Sequence, residues 1–171
     1  MTSTTGRLKN VQAVKDRLVS YRERERDIEN QTELLDRLQT KMEGVGAQNI
    51  TDMPRSPSPS NDRLSDLMSQ KIEIEEMIRE DVEHQKSERK FIESVLKHLK
   101  SADERGVIRF RYLMGLSWYD VTDAMFGAKG DYLGKEDSYL RRITKLHGQA
   151  LLSMAKYIEE KGLNTADISK E

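Results

Sequence analysis

Cysteine is absent from the 171-residue chain. That excludes disulfides, cysteine-ligated zinc and thiol nucleophiles, and it fits a reducing compartment. Aromatic residues amount to 6%, with a single tryptophan; a β-sandwich or an α/β enzyme would carry more aromatic, apolar and glycine content. Proline is confined to positions 54, 57 and 59. No apolar run approaches the roughly 20 residues that a membrane-spanning helix needs, and the opening MTSTTGRLKN lacks the apolar centre of a signal peptide. A cytoplasmic location with no membrane partner is expected. Neither sign of charge dominates, because 29 Lys and Arg stand against 30 Asp and Glu, a net charge of −1. Any nucleic-acid surface must therefore be a local patch.

The usual signatures of catalysis are missing as well. The chain has no Gly-x-x-x-x-Gly-Lys phosphate loop, no Gly-x-Ser-x-Gly elbow and no His-Glu-x-x-His pair. His84 and His98 stand fourteen residues apart on one expected helix, too far to share a metal. His147 falls on an apolar face and reads as a hydrogen-bonded core histidine. Carboxylates alternate with Lys and Arg at i,i+3 and i,i+4, the pattern of a solvated helix face. No catalytic residue, metal or cofactor is expected, and the chain does not read as an enzyme.

What the chain does have is charge, at 35% of residues, and a mean hydropathy of −0.77, with apolar residues recurring at helical spacing. From Leu8 to about Glu43 there is no proline or glycine. Val11, Val14, Leu18, Tyr21, Glu25, Ile28, Thr32, Leu35, Gln39 and Met42 follow steps of three and four, and seven of the ten are apolar. That is a heptad seam with polar breaks. Gly44 and Gly46 are expected to stop it, and MPRSPSPSND reads as a loop, about 44–61, whose Ser-Pro pairs suit a solvated linker. Asn61 is a candidate N-cap for a second long helix. Its seam is Leu64, Leu67, Lys71, Ile74, Ile78, Asp81, Gln85, Glu88, Ile92, Val95 and Leu99, seven of eleven apolar. Each helix would be roughly 55 Å long. Two such helices joined by one loop predict a hairpin with so broken a seam that it needs self-association or docking on the rest of the chain.

The compact core is expected from residue 101 onward, where most aromatics lie. Ser101 to Glu104 has the form of a capping box. A short helix from Glu104 would end at Gly115, and Ser117 would cap a second, ending near Phe126, with Trp118, Val121, Thr122 and Met125 facing inward. A third helix is expected from Asp137 or Ser138 to about Glu160. Spaced at 100° it divides cleanly: Leu140, Ile143, His147, Ala150, Leu151, Met154 and Ile158 on one side, Arg141, Arg142, Lys145, Gln149 and Lys156 on the other. Between Ser138 and Ile158 there are four Lys or Arg and no acid. A helix with one face in a core and an Arg-rich face outward suits the major groove, where Arg pairs with guanine and Gln with adenine while Lys meets phosphate. The order helix, turn, helix, loop, basic helix is a helix-turn-helix arrangement.

Glu104-Arg105, Val107-Ile108, Phe110-Arg-Tyr-Leu113 and Gly115-Leu-Ser-Trp-Tyr-Asp-Val121 resemble region 4 of bacterial sigma factors. The whole chain resembles the RinA/ArpU-like late-gene regulators of phages. The shared features are a charged coiled-coil front half, a Met-Pro-Arg-Ser loop at Met53 to Ser56 and a helix ending in Leu146-His147-Gly148. Two departures are visible: Gly106 inside the first short helix, which costs about 1 kcal/mol against Ala, and the stretch Gly127 to Asp137, longer than the three or four residues of a tight turn. That insert reads as a surface loop, with Lys129, Tyr132 and Lys135 as candidate contacts to DNA backbone.

The fold expected is thus all-α: residues 1–100 as a long helical hairpin for oligomerisation or partner contact, and 101–171 as a helix-turn-helix domain. The resemblance implies a phage or prophage transcription activator in the cytoplasm of a bacterial host. Its partners would be double-stranded DNA, host RNA polymerase and further copies of itself. The DNA-contacting residues would be Arg141, Arg142 and Lys145, then Tyr139 and Gln149. The alternative is a helical scaffold or adaptor whose C-terminal domain binds protein. Salt-sensitive binding to duplex DNA separates the two.

Overall fold

The computed structural model describes residues 4–47 and 59–163, and among these it is all-helical, with no strand. The five helices are α1 (Thr4–Ala47), α2 (Pro59–Leu96), α3 (Ala102–Ile108, extended by a π-helical turn at Arg109–Leu113), α4 (Trp118–Phe126) and α5 (Glu136–Lys161). Two ends differ from the sequence reading. Helix α1 runs through Gly44 and Gly46 to Ala47, since a helical glycine weakens a helix without breaking it. Helix α2 begins at Pro59, so Asn61 lies inside the helix and does not cap it; proline suits the first helical position, where its missing amide would have no partner anyway. Pro54, Pro57, the Ser-Pro serines and the Met53 to Ser56 segment lie outside the described residues.

The chain divides into two compact units. One takes the chain up to Glu23 together with everything from Lys86 on; the other is Arg24–Gln85. The base of both long helices therefore shares a core with the C-terminal helices. Val14, Leu18 and Tyr21 of α1 and Ile92, Val95 and Leu96 of α2 belong to one cluster with Val107, Ile108, Val121, Ile143 and Met154. Arg17 donates to both oxygens of Glu88, each at 2.8 Å, and its guanidinium lies 3.8 Å from the centre of the Phe91 ring. Glu88 is 9% exposed, and this paired, bidentate geometry is what allows a carboxylate to be buried there.

In the second unit the two long helices run antiparallel. Arg24 contacts Asp81 and His84, and Gln31 donates to Asp81 at 3.2 Å. The α2 seam falls where its spacing places it, with none of its eleven positions exposed. The α1 seam is corrected in its distal half: Thr32 and Gln39 are exposed, while Gln31 and Leu38 turn inward. The cause is Leu38. Both a three-residue and a four-residue step from Leu35 reach the same side of a helix, and burying the leucine in place of Gln39 selects the shorter step.

Helix α3 is capped by Ser101, whose hydroxyl accepts the Glu104 amide at 3.3 Å, but this is only half of the expected capping box: among the described residues the Glu104 side chain does not return a bond to the Ser101 amide. Its end contains an unforeseen π turn, closed by the Met114 amide on the Arg109 carbonyl at 2.9 Å. Gly115, at φ +69°, then reverses the chain, and the Leu116 amide reaches back to the Phe110 carbonyl at 3.0 Å. The reciprocal capping box forms at α4, where Ser117 and Asp120 each accept the other's amide. Val121, Thr122 and Phe126 are its buried residues. Helix α5 packs across α3 and α4; it does not end at Leu146-His147-Gly148 but runs through that segment to Lys161, where Gly162, φ +60°, stops it.

Candidate nucleic-acid interface

The site is built from the start of α5 and the elements that hold it. Burial divides the helix as its periodicity predicts: Ile143, Ala150, Leu151, Met154, Ala155 and Ile158 are buried, whereas Arg141, Arg142, Lys145 and Gln149 are exposed. Arg142, Lys145 and Gln149 follow one another at i, i+3 and i+7, along one line of the helix. Among the described residues neither Arg141 nor Lys145 has a carboxylate partner; Arg142 lies with its guanidinium 4.8 Å from the centre of the Phe126 ring. Such a stacked guanidinium keeps its donors directed outward along the ring edge, available to a planar acceptor.

Tyr139, the fifth expected contact, is placed differently. Its hydroxyl donates to Asp131 at 2.7 Å. Its ring lies against Phe126 and Tyr132, with centroids 5.1 and 5.5 Å away. Tyr139 therefore fastens the segment between α4 and α5 onto the start of α5. Lys135 also donates to Asp131, at 3.1 Å. The Tyr139 hydroxyl bond, followed by that of Lys135, holds the Asp131 carboxyl below its ordinary range, and the same bond to Asp131 raises the Tyr139 phenol. Successive turns from Phe126 to Lys135 fold the insert compactly, with Gly134 at φ +86°. Of the three insert residues considered for backbone contact, Lys129 is exposed, Tyr132 is half-buried in the aromatic group and Lys135 is exposed but paired. Glu136 and Asp137 occupy the first turn of α5, where negative charge favours the helix N-terminus.

Beneath this face sits His147. Its Nε2 lies 3.0 Å from the Tyr112 hydroxyl, and its ring meets Trp118 edge-on at 5.0 Å. Burial, reinforced by the positive charges of Lys15 and Arg111, pushes its pKa down to about 4. It is a neutral core histidine that ties α5 to α3 and α4. The turn between α3 and α4 is held by two arginines that periodicity did not single out. Arg22 of α1 donates to the Gly115 carbonyl at 2.7 Å, and Arg111 donates to the Leu116 carbonyl at 2.7 Å while stacking 4.7 Å from the Trp118 ring centre. The only sequence signal for Arg111 was its place in the Phe110-Arg-Tyr-Leu113 motif; Arg22 had none, being one charge among many on a solvated-looking run.

Electrostatics separate the two units in a way the total hides. Residues 24–85 hold eight Lys or Arg and fifteen Asp or Glu, whereas the remainder holds 21 and 15. The unit that carries α5 is net +6 and the other net −7. This division was present in the sequence but invisible to a boundary drawn at residue 100.

Among the described residues no group of three or more His, Asp or Glu could hold a metal ion, and no helix is long and apolar enough to cross a membrane. No family model, curated protein or solved structure matches the chain.

Proposed function

We propose that the protein is a sequence-specific transcription regulator that reads the major groove of double-stranded DNA with the start of α5. We place it with phage or prophage late-gene activators of the RinA/ArpU type, working in the cytoplasm of a bacterial host. The observation that carries this reading is the exposed line Arg141, Arg142, Lys145 and Gln149, free of carboxylate partners among the described residues, opposite a face that buries Ile143, Ala150, Leu151 and Met154, on a unit of net charge +6. In the groove, Arg141 or Arg142 would meet guanine O6 and N7, Gln149 adenine, and Lys145 a phosphate. Tyr139 acts by fixing the insert. Self-association would present two such helices to two half-sites, and contact with host RNA polymerase would turn binding into activation.

The test is selection of duplexes from a random pool, followed by binding measured across salt. Arg142→Ala is expected to cost about 1–3 kcal/mol and to relax base preference at one position. Lys145→Ala is expected to weaken all sequences alike and to lower the salt slope by about one. Unchanged binding in both variants overturns the assignment. A second reading, an adaptor whose C-terminal unit binds protein, is favoured by the nine residues that separate α4 from α5. Absence of salt-sensitive duplex binding would select it.

A further inference from the structure

The acidic unit carries a surface of its own. On α2, Met68, Ile72, Glu76 and Glu80 succeed one another at intervals of four, which is one packing ridge of a helix. All four are exposed, Met68 at 53% and Ile72 at 57%. Among the described residues neither glutamate has an ion-pair partner. Single exposed apolar side chains are ordinary; here two are adjacent on one ridge, and the helix pair beneath them is thinly packed. Leu38 is the one buried hydrophobic residue among those described in Arg24–Gln85, and Ile28, Leu35, Met42, Leu64, Ile74 and Ile78 are only half-buried.

Charge selects the occupant. A unit of net charge −7 repels phosphates, anionic lipid and a second copy of the same unit. A cationic helix with an apolar face is attracted by the unit and complementary to the ridge. We infer that the ridge Met68–Ile72–Glu76–Glu80 is a docking surface for an amphipathic helix of a basic partner protein, its apolar side chains against Met68 and Ile72 and its Lys or Arg against Glu76 and Glu80. This is the helix-in-groove mode of recognition, and it uses none of the residues assigned to DNA.

The test titrates the full chain with a synthetic helical peptide of Leu and Lys and, separately, with its Leu and Glu counterpart. Binding of the cationic peptide alone is expected, weakening as salt screens the charges. M68S/I72S is expected to reduce affinity about tenfold through lost apolar burial, and E76K/E80K to abolish binding, both with unchanged helix content by circular dichroism. Equal binding by the variants and the parent would reduce the effect to diffuse charge attraction and overturn the docking surface, as would no binding at all. If sedimentation velocity instead shows a dimer of the chain alone that M68S/I72S dissolves, the occupant is a second copy and the basic partner is wrong. Duplex binding measured on the same variants is expected to stay unchanged, so loss of the DNA reading would leave this one standing.

Discussion

A buried glutamate and a half-buried histidine give the sharpest expectations at the scale of single side chains. Glu88 is stabilised by the bidentate Arg17, so Glu88→Ala removes the carboxylate that offsets a largely buried guanidinium and is expected to cost about 3–5 kcal/mol in urea unfolding. The paired replacement of Arg17→Met with Glu88→Leu removes both charges and is expected to recover most of that loss, because desolvation of the pair offsets much of its attraction. His147 behaves differently because desolvation favours its uncharged form. Its pKa lies at about 4, below the ordinary 6.5; protonation therefore favours the unfolded chain. Stability is expected to be complete above about pH 6.5 and to decline as pH falls toward about 4, beyond which this group contributes no further change. Thermal melts of His147→Gln across that window are expected to show a flatter profile than the parent; identical profiles would place the sensitivity elsewhere.

Individual helices offer a second class of expectation. Gly106 lies inside α3, and a Cβ built there would meet Met125 Cε at 3.6 Å, ordinary contact. Gly106→Ala is accordingly expected to raise stability by roughly 0.5–1 kcal/mol. Gly127 is the opposite case, since a Cβ would come within 2.6 Å of the Asp123 carbonyl oxygen; Gly127→Ala is expected to lower the melting temperature by displacing the end of α4. These glycines look alike in the sequence and differ only in what stands beside them. The same distinction explains how much of the architecture was legible. Helix existence, the α2 seam and the two faces of α5 follow from spacing alone, because one side of each helix is apolar enough to decide its orientation. Beyond Ile28 the α1 seam was legible at Leu35 and Met42 but not at Thr32 and Gln39, which are compatible with burial by position and ruled out only by the packing of Leu38. Nor could periodicity reveal the π turn or the job of Tyr139, both of which depend on neighbours distant in sequence.

For the molecule as a whole, packing density differs between the units. The core of the unit that holds α5 draws on all five helices, whereas Arg24–Gln85 buries one hydrophobic side chain among its described residues. Amide exchange is expected to be faster in the described parts of Arg24–Gln85 than in α5 between Ile143 and Ile158, as thinly packed segments open locally. Uniform protection would contradict that. The α5 unit is also discontinuous in the chain: its first helix comes from the beginning and its remainder from Lys86 on. Arg22 makes this more than an accident of threading, since its guanidinium clasps the Gly115 carbonyl at the bend between α3 and α4. Anyone excising the α5 unit for grafting would have to carry along the opening stretch, tethered to Lys86 by a brief artificial bridge. A cut made at Ser101 would leave the bend unlatched and a greasy flank bare.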